Sequence, residues 1–273
     1  MSRPSAGPAS QSLRIVRGRN LASERPARAY LRRVDLAESA SLRSEMVESQ
    51  LRGRGIRDER VLAAMGELPR ELFLPPDLAG DAYCDGALPI AAGQSISQPY
   101  MVGLMTELLE PHPGMRILEI GTGTGYQAAV LALIGCEVLS IERHPELAAA
   151  ARTRLASLGL ADPRLADRVR IEVADGSIGW RLRAPFEGIL VTAAAPRVPD
   201  PLRRQMADGG RMVIPVGPLG GQELVQIIRR GEGFEERSFG GCVFVPLIGA
   251  AAYGEEELLR ARRWPGPFRG WRR

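Results

Sequence analysis

The sequence predicts an α/β protein built on a mostly parallel sheet that ends in antiparallel strands, with helices on both faces. Three observations predict it. Short apolar runs alternate with helical segments from residue 116 onward. A glycine turn, Gly121-Thr122-Gly123-Thr124-Gly125, joins the first such run to a helix. Two late strand-like runs follow one another with no helix between them, as antiparallel neighbours do.

The elements follow in order. Residues 1–45 are rich in Arg, Ser, Ala and Pro and predict a basic, flexible extension, with helical character near Ala37 to Leu51. The pattern turns helical from Met46, with Val61, Leu62, Met65 and Leu68 on one face until Pro69 and Pro75-Pro76 interrupt it. A loop through Leu88-Pro89-Ile90 leads to Gly93-Gln94-Ser95-Ile96-Ser97-Gln98-Pro99-Tyr100. Met101 to Glu110 then reads as a helix stopped by Pro111 and Pro113. Ile117 to Ile120 is a buried strand, Gln127 to Leu133 a helix, and Glu137 to Ile141 a second strand ending at Glu142. Leu147 to Leu158 is helical, and Val169 to Val173 is a strand ending at Asp175-Gly176. Gly188 to Thr192 is a buried strand, Pro201 to Met206 a short helix, and Arg211 to Val216 a strand. Glu223 to Arg229 and Cys242 to Leu247 are the late strands, joined through Gly231-Glu232-Gly233. Three segments result: the extension 1–45, one large domain 46–254, and a basic tail 255–273.

Composition bounds the function. The formal charge is +4, but residues 1–45 hold 9 Arg against 4 acids and residues 255–273 hold 6 Arg against 3 acids. The middle of the chain is therefore mildly acidic, which weakens the nucleic-acid reading that a pI of 9.3 would invite. Cys84, Cys136 and Cys242 match no metal or disulfide spacing, so reduced thiols in a cytoplasmic protein are expected, with no bound metal. No stretch resembles a signal peptide or a membrane span.

The glycine turn carries the chemistry. Dinucleotide sites read G-x-G-x-x-G, and the third glycine lets the helix N-terminus face a pyrophosphate. Here the spacing is G-x-G-x-G, and Tyr126 stands where that glycine would fall. Glu119, two residues before the turn, also disfavours an anionic ligand and suits the amino group or sulfonium of S-adenosylmethionine. Glu142, 23 residues after Glu119, closes the next strand, where a carboxylate can accept ribose hydroxyls. An ordinary tight turn explains the glycines alone but not the two acids around them.

The chain from about Met46 to Gly249 resembles the protein-L-isoaspartate O-methyltransferase family. The resemblance rests on Leu88-Pro89-Ile90, Gly93 to Met101, Met105 to Leu109, Leu118 to Gln127 and Ser140 to Arg143. Asp175-Gly176, Val191 to Ala194, Ile214 to Gly217 and Phe244 to Leu247 complete it. The glycine motif marks only the class I methyltransferases, whose Rossmann-like fold is implied. Ser-Ile-Ser-Gln-Pro-Tyr and Phe-Val-Pro-Leu select the family, although Ser95 stands where the family commonly has threonine. The resemblance implies transfer of a methyl group from S-adenosylmethionine to the α-carboxylate of isoaspartyl residues in damaged proteins. The ester then collapses to a succinimide, whose hydrolysis restores some normal aspartate.

It also implies the site. Ser97 is the catalytic candidate; a helix cap before Pro99 is the plain alternative. Glu119, Gly121, Thr122, Gly123, Thr124, Gly125, Tyr126, Gln127, Glu142, Arg143, Asp175 and Gly176 would bind the cofactor, with Asp175 at the adenine amino group. Ile90, Gln98, Thr192, Ala193, Val245, Pro246 and Leu247 would receive the substrate, the last three by pairing with an extended peptide or else as a simple sheet edge. No general base is required, because a carboxylate is already ionised at neutral pH. His112 and His144 read as structural. Other methyltransferases, acting on RNA, DNA or small molecules, and an inactive cofactor-binding protein are the rival readings. The amino-methylating Asn/Asp-Pro-Pro-aromatic motif is absent: the corresponding strand end reads Thr192-Ala193-Ala194-Ala195-Pro196. The expected protein is a monomer that binds isoaspartyl proteins, and neither nucleic acid nor membrane.

Overall fold

A computed structural model describes residues 36–254 with the exception of residue 166, together with residue 258. All of the predicted tail 255–273 except residue 258, and most of the predicted extension, therefore lie outside the described residues. The fold itself begins before the expected boundary at 45. Helix α1, Leu36–Glu45, is tied down by Ser39, which donates to Glu71, and by Arg43, whose Nε donates to the Gly66 carbonyl at 2.8 Å. A π-helical turn, Met46–Leu51, leads to α2, Glu59–Glu67, where the Asp58 carboxylate caps the Arg60 N–H at 2.9 Å. Two short strands, β1 (Leu88–Pro89) and β2 (Ser95–Ile96), pair antiparallel before α3, Pro99–Leu109.

The main sheet has seven strands: β3 (Arg116–Ile120), β4 (Glu137–Glu142), β5 (Val169–Val173), β6 (Phe186–Val191), β7 (Met206–Val216), β8 (Gln222–Arg230) and β9 (Gly233–Cys242). Their spatial order is β5-β4-β3-β6-β7-β8-β9. The first five run parallel and the last two antiparallel. Helix α4 (Tyr126–Ile134) links β3 to β4, α5 (Pro145–Ala161) links β4 to β5, and α6 (Asp200–Arg203) precedes β7. Central strands are apolar on both sides because both faces are covered. Ile117, Leu190 and Val213 join one core under α2 to α5, while Leu118, Ile189 and Met212 join another under α6. The chain walks from β3 to β5 on one side, then returns to place β6 on the other. That reversal beside β3 is the switch point where open α/β sheets hold ligands.

The second late strand is not where the sequence suggests. It is Gly233–Cys242, an edge strand exposed on both faces, so burial imposes no apolar alternation on it. The apolar run Cys242 to Leu247 instead crosses the carboxyl end of β6. There the Ala194 N–H donates to the Val245 carbonyl at 2.8 Å, and the Leu247 N–H donates to the Ala194 carbonyl at 2.7 Å.

Candidate active site

Strand β3 ends at Ile120 and the backbone reverses at Gly121, whose φ of +97° lies in the left-handed region that favours glycine. Close approach excludes a side chain there as well. The Thr192 hydroxyl donates to the Ile120 carbonyl at 3.0 Å and the Gly121 carbonyl at 2.8 Å, and a Cβ on Gly121 would strike it. Thr192 thus ties the end of β6 to the glycine turn across the switch point. Gly123, two residues on, donates its N–H to Glu142 Oε2 at 2.9 Å, and His144 donates its N–H to Oε1 at 2.9 Å. Each Glu142 oxygen keeps a lone pair for another donor.

Glu119 lies under this turn and is fully buried. It stands opposite Ser140 in the β3–β4 register, and the Ser140 hydroxyl donates to its Oε2. Thr122 Oγ1 closes the chain at 2.5 Å from Ser140 Oγ. Glu119 Oε1 has no partner among the described residues. Burial pushes this carboxyl up to about 8; the bond from Ser140 opposes the rise and the Glu142 charge adds to it.

A cleft opens above the turn. Gly121, Gly123, Glu142, Arg143 and Gly176 line it from the sheet side. Thr192, Ala193, Val245, Pro246 and Leu247 line it from the other side. Ile90 reaches over Gly123, its Cδ1 3.9 Å from where a Cβ would lie. Asp175 faces an adjoining cavity shared with Arg143 and Tyr253. Its Oδ1 caps the Ser177 N–H at 2.8 Å, and its Oδ2 accepts the Ala250 N–H at 2.7 Å.

Ser97 sits half-buried between β2 and α3, two residues beyond the cleft residue Ser95. Gln98, not Ser97, occupies the cap position of α3, and no side chain caps that helix. Gln98 is held by Asp85, to which its Nε2 donates at 2.7 Å.

Four of the expected cofactor residues turn inward, away from the cleft. Thr122 and Thr124 are buried, and Gln127 donates to Thr106 Oγ1 at 2.9 Å. Tyr126 packs edge-on against Phe73 at 5.2 Å. Gly125 is the left-handed residue that starts α4. The outer edge of 245–247 is also poorer than an extended peptide needs. Val245 C=O and Leu247 N–H are spent on Ala194, Leu247 C=O accepts the Tyr253 N–H, and Pro246 has no N–H. The cleft adds residues that sequence reasoning passed over: Gln94, Ser95, His144 and Ile248. Gln94 and Ser95 lie within the Gly93 to Tyr100 motif and His144 stands two residues after β4, whereas nothing local signals Ile248.

The family model for protein-L-isoaspartate(D-aspartate) O-methyltransferase matches residues 41–252. The chain belongs to that family. A Methylorubrum populi protein-L-isoaspartate O-methyltransferase is 56% identical over 214 residues, 78% of this chain and 98% of the relative. A Methanoregula boonei protein of the same name is 52% identical over 214 residues, 78% of this chain and 95% of that protein. A solved protein-L-isoaspartate O-methyltransferase superposes with a TM-score of 0.66 at 26% identity, covering 81% of this chain and 69% of its own. The methyltransferase takes its methyl group from S-adenosylmethionine and acts on isoaspartyl sites in proteins.

Proposed function

We propose that the cleft beside β3 and β6 is where this protein-L-isoaspartate methyltransferase carries out methyl transfer, with Ser97 orienting the isoaspartyl carboxylate. One observation carries the reading: bare glycine backbone, the Glu142 carboxylate and the 245–247 segment converge at the switch point of the sheet.

The residues fit S-adenosylmethionine. Gly123 leaves room for close approach, Gly121 and Gly176 present bare backbone to the cleft, and Glu142 has acceptor capacity for two ribose hydroxyls. The unpartnered Glu119 Oε1 below the turn suits a cation, which would draw the carboxyl toward its ionised form. Arg143 and Asp175, around the adjoining cavity, would hold the base. Thr122, Thr124, Tyr126 and Gln127 support the turn from beneath. When bound, the cofactor supplies a methyl group made electrophilic by its sulfonium.

The chain's own work is alignment. The isoaspartyl carboxylate is already a nucleophile at neutral pH, so no base need remove a proton. What remains is to strip its water and hold it in line, which is worth several powers of ten in rate. Ser97 donates one hydrogen bond to the carboxylate, leaving its other oxygen to attack. Ile90, Gln98, Thr192, Ala193 and Val245-Pro246-Leu247 receive the flanking peptide, mainly through side-chain and van der Waals contact. The methyl ester then closes to a succinimide without further help, as the neighbouring backbone amide nitrogen attacks the ester carbonyl and methanol leaves with the amide proton.

The decisive assay supplies labelled cofactor with an isoaspartyl peptide or its normal aspartyl twin. Only the isoaspartyl peptide is expected to be labelled; equal labelling of both would sink the assignment. Ser97→Ala is expected to lower kcat by about 10- to 100-fold while leaving cofactor affinity near its starting value. Collapse of cofactor binding instead would move Ser97 to the cofactor site. We further propose a cytoplasmic monomer without nucleic-acid affinity, a reading supported by three unpaired thiols among the described residues. Light scattering should return about one chain mass, 29.6 kDa. Among the described residues no helix is long and apolar enough to cross a membrane.

A further inference from the structure

Arg70 is fully buried, yet among the described residues no carboxylate pairs with it. A guanidinium taken out of water without a counter-charge is costly unless its donors find partners. Two of them do. Nε donates to the Ala82 carbonyl at 2.8 Å, and Nη2 donates to the Ser97 carbonyl at 2.7 Å. The guanidinium carbon lies 4.9 Å from the centre of the Tyr126 ring, a cation–π contact with the first residue after the glycine turn. Nη1 has no acceptor among the described residues.

The short 3₁₀ turn that carries Arg70, Arg70–Phe73, is held from the opposite side too. Arg154 on α5 donates from Nε to the Leu72 carbonyl at 2.9 Å and from Nη1 to the Thr124 carbonyl at 2.7 Å. Phe73 packs against Tyr126. One turn is therefore joined to the glycine loop, directly at Tyr126 and at Thr124 by way of Arg154, and to the backbone of Ser97.

We propose that Arg70 is a positioning residue for methyl transfer: it fixes the Ser97 backbone relative to the glycine loop, and so aims the Ser97 hydroxyl. The proposal rests on the reading of Ser97 as the residue that orients the substrate carboxylate. Lysine cannot replace the planar fork, because one ammonium cannot span two carbonyls and stack on a ring at once.

The test is a double-mutant cycle on the full chain with Arg70→Met, Arg70→Lys, Ser97→Ala and the Arg70→Met/Ser97→Ala pair. Rates are measured with an isoaspartyl peptide, and S-adenosylhomocysteine affinity is measured by calorimetry. Arg70→Met is expected to lower kcat by about 10- to 100-fold, with the calorimetric Kd changed less than about threefold. Placed on Ser97→Ala, the same substitution should cost less than about threefold more, because the group it aims is gone. Arg70→Lys keeps the charge and should fall between wild type and Arg70→Met; it carries the cycle if the methionine variant fails to fold. Additive losses in the pair, or a fall in cofactor affinity matching the fall in rate, would overturn the positioning role. A slow Ser97→Ala beside an unimpaired Arg70→Met would overturn Arg70 alone. An unimpaired Ser97→Ala would overturn the reading of Ser97 and this proposal with it.

Discussion

Burial of Glu119 gives the site its own pH signature. The folded chain holds this proton up to about pH 8, whereas the unfolded chain releases it in the ordinary carboxyl range. The stabilisation this provides is complete below the ordinary pKa and is lost as pH rises toward 8. Glu119→Gln removes that dependence, so the Tm of the variant relative to wild type should climb between pH 5 and 8.5. A constant gap across that range would show that Glu119 does not titrate there. Gly121 offers a second test. Alanine at this position meets both a φ of +97° and the Thr192 hydroxyl, so a loss of about 1–3 kcal/mol and of cofactor binding is expected. Adding Thr192→Ala should recover part of the stability, since it removes the collision but not the strain. A pair no more stable than Gly121→Ala would place the whole cost in the backbone. Of these residues the sequence reveals Gly121, Glu119 and Glu142, because a glycine turn with acids at two strand ends is a local pattern. It does not reveal Ser140 or Thr192 as supports, since each acts across strands, 21 and 71 residues from its partner.

At the scale of elements, the segment after β9 matters most. It pairs with Ala194, lines the cleft from 245 to 248, and then returns over Asp175. Gly249 lies so close to the Asp175 carboxylate and the Ser177 hydroxyl that a Cβ would collide with both. Ala250 donates to Asp175, and Ala251 donates to Ser177 Oγ at 3.0 Å. Gly249→Ala should lift this segment, and hydrogen exchange at the Ala250 and Ala251 amides should speed up while amides of β3 stay protected. Unchanged exchange would mean that the segment accommodates a methyl group by moving as a unit. The parallel strands β3, β4 and β6 were legible because burial on both faces forces continuous apolar runs. The β9 edge was not, since a strand facing water on both sides carries no such constraint. For the same reason the apolar run at 242–247 resembled a strand of the hairpin: its burial comes from covering the sheet's carboxyl end.

For the whole molecule, the folded unit reaches back at least to residue 36, ahead of the boundary at 45 that composition suggests. Removing residues 1–33 should leave isoaspartyl methylation intact, whereas removing residues 1–45 deletes the contacts of Ser39 and Arg43 with Glu71, Gly66 and Tyr83. The longer truncation should lower Tm by several degrees, in keeping with about 1–3 kcal/mol for each buried charged hydrogen bond lost. Equal Tm for the two truncations would return the boundary to 45. By itself the sequence determined the α/β architecture, the cofactor turn and the family, because hydrophobic period, glycine spacing and acids at strand ends are set by neighbours in the chain. Only the tertiary structure decided which of those residues face the cleft, which turn inward to support it, and that a buried arginine joins the Ser97 segment to the glycine loop. Those outcomes depend on contacts between residues tens of positions apart, and no local pattern encodes them.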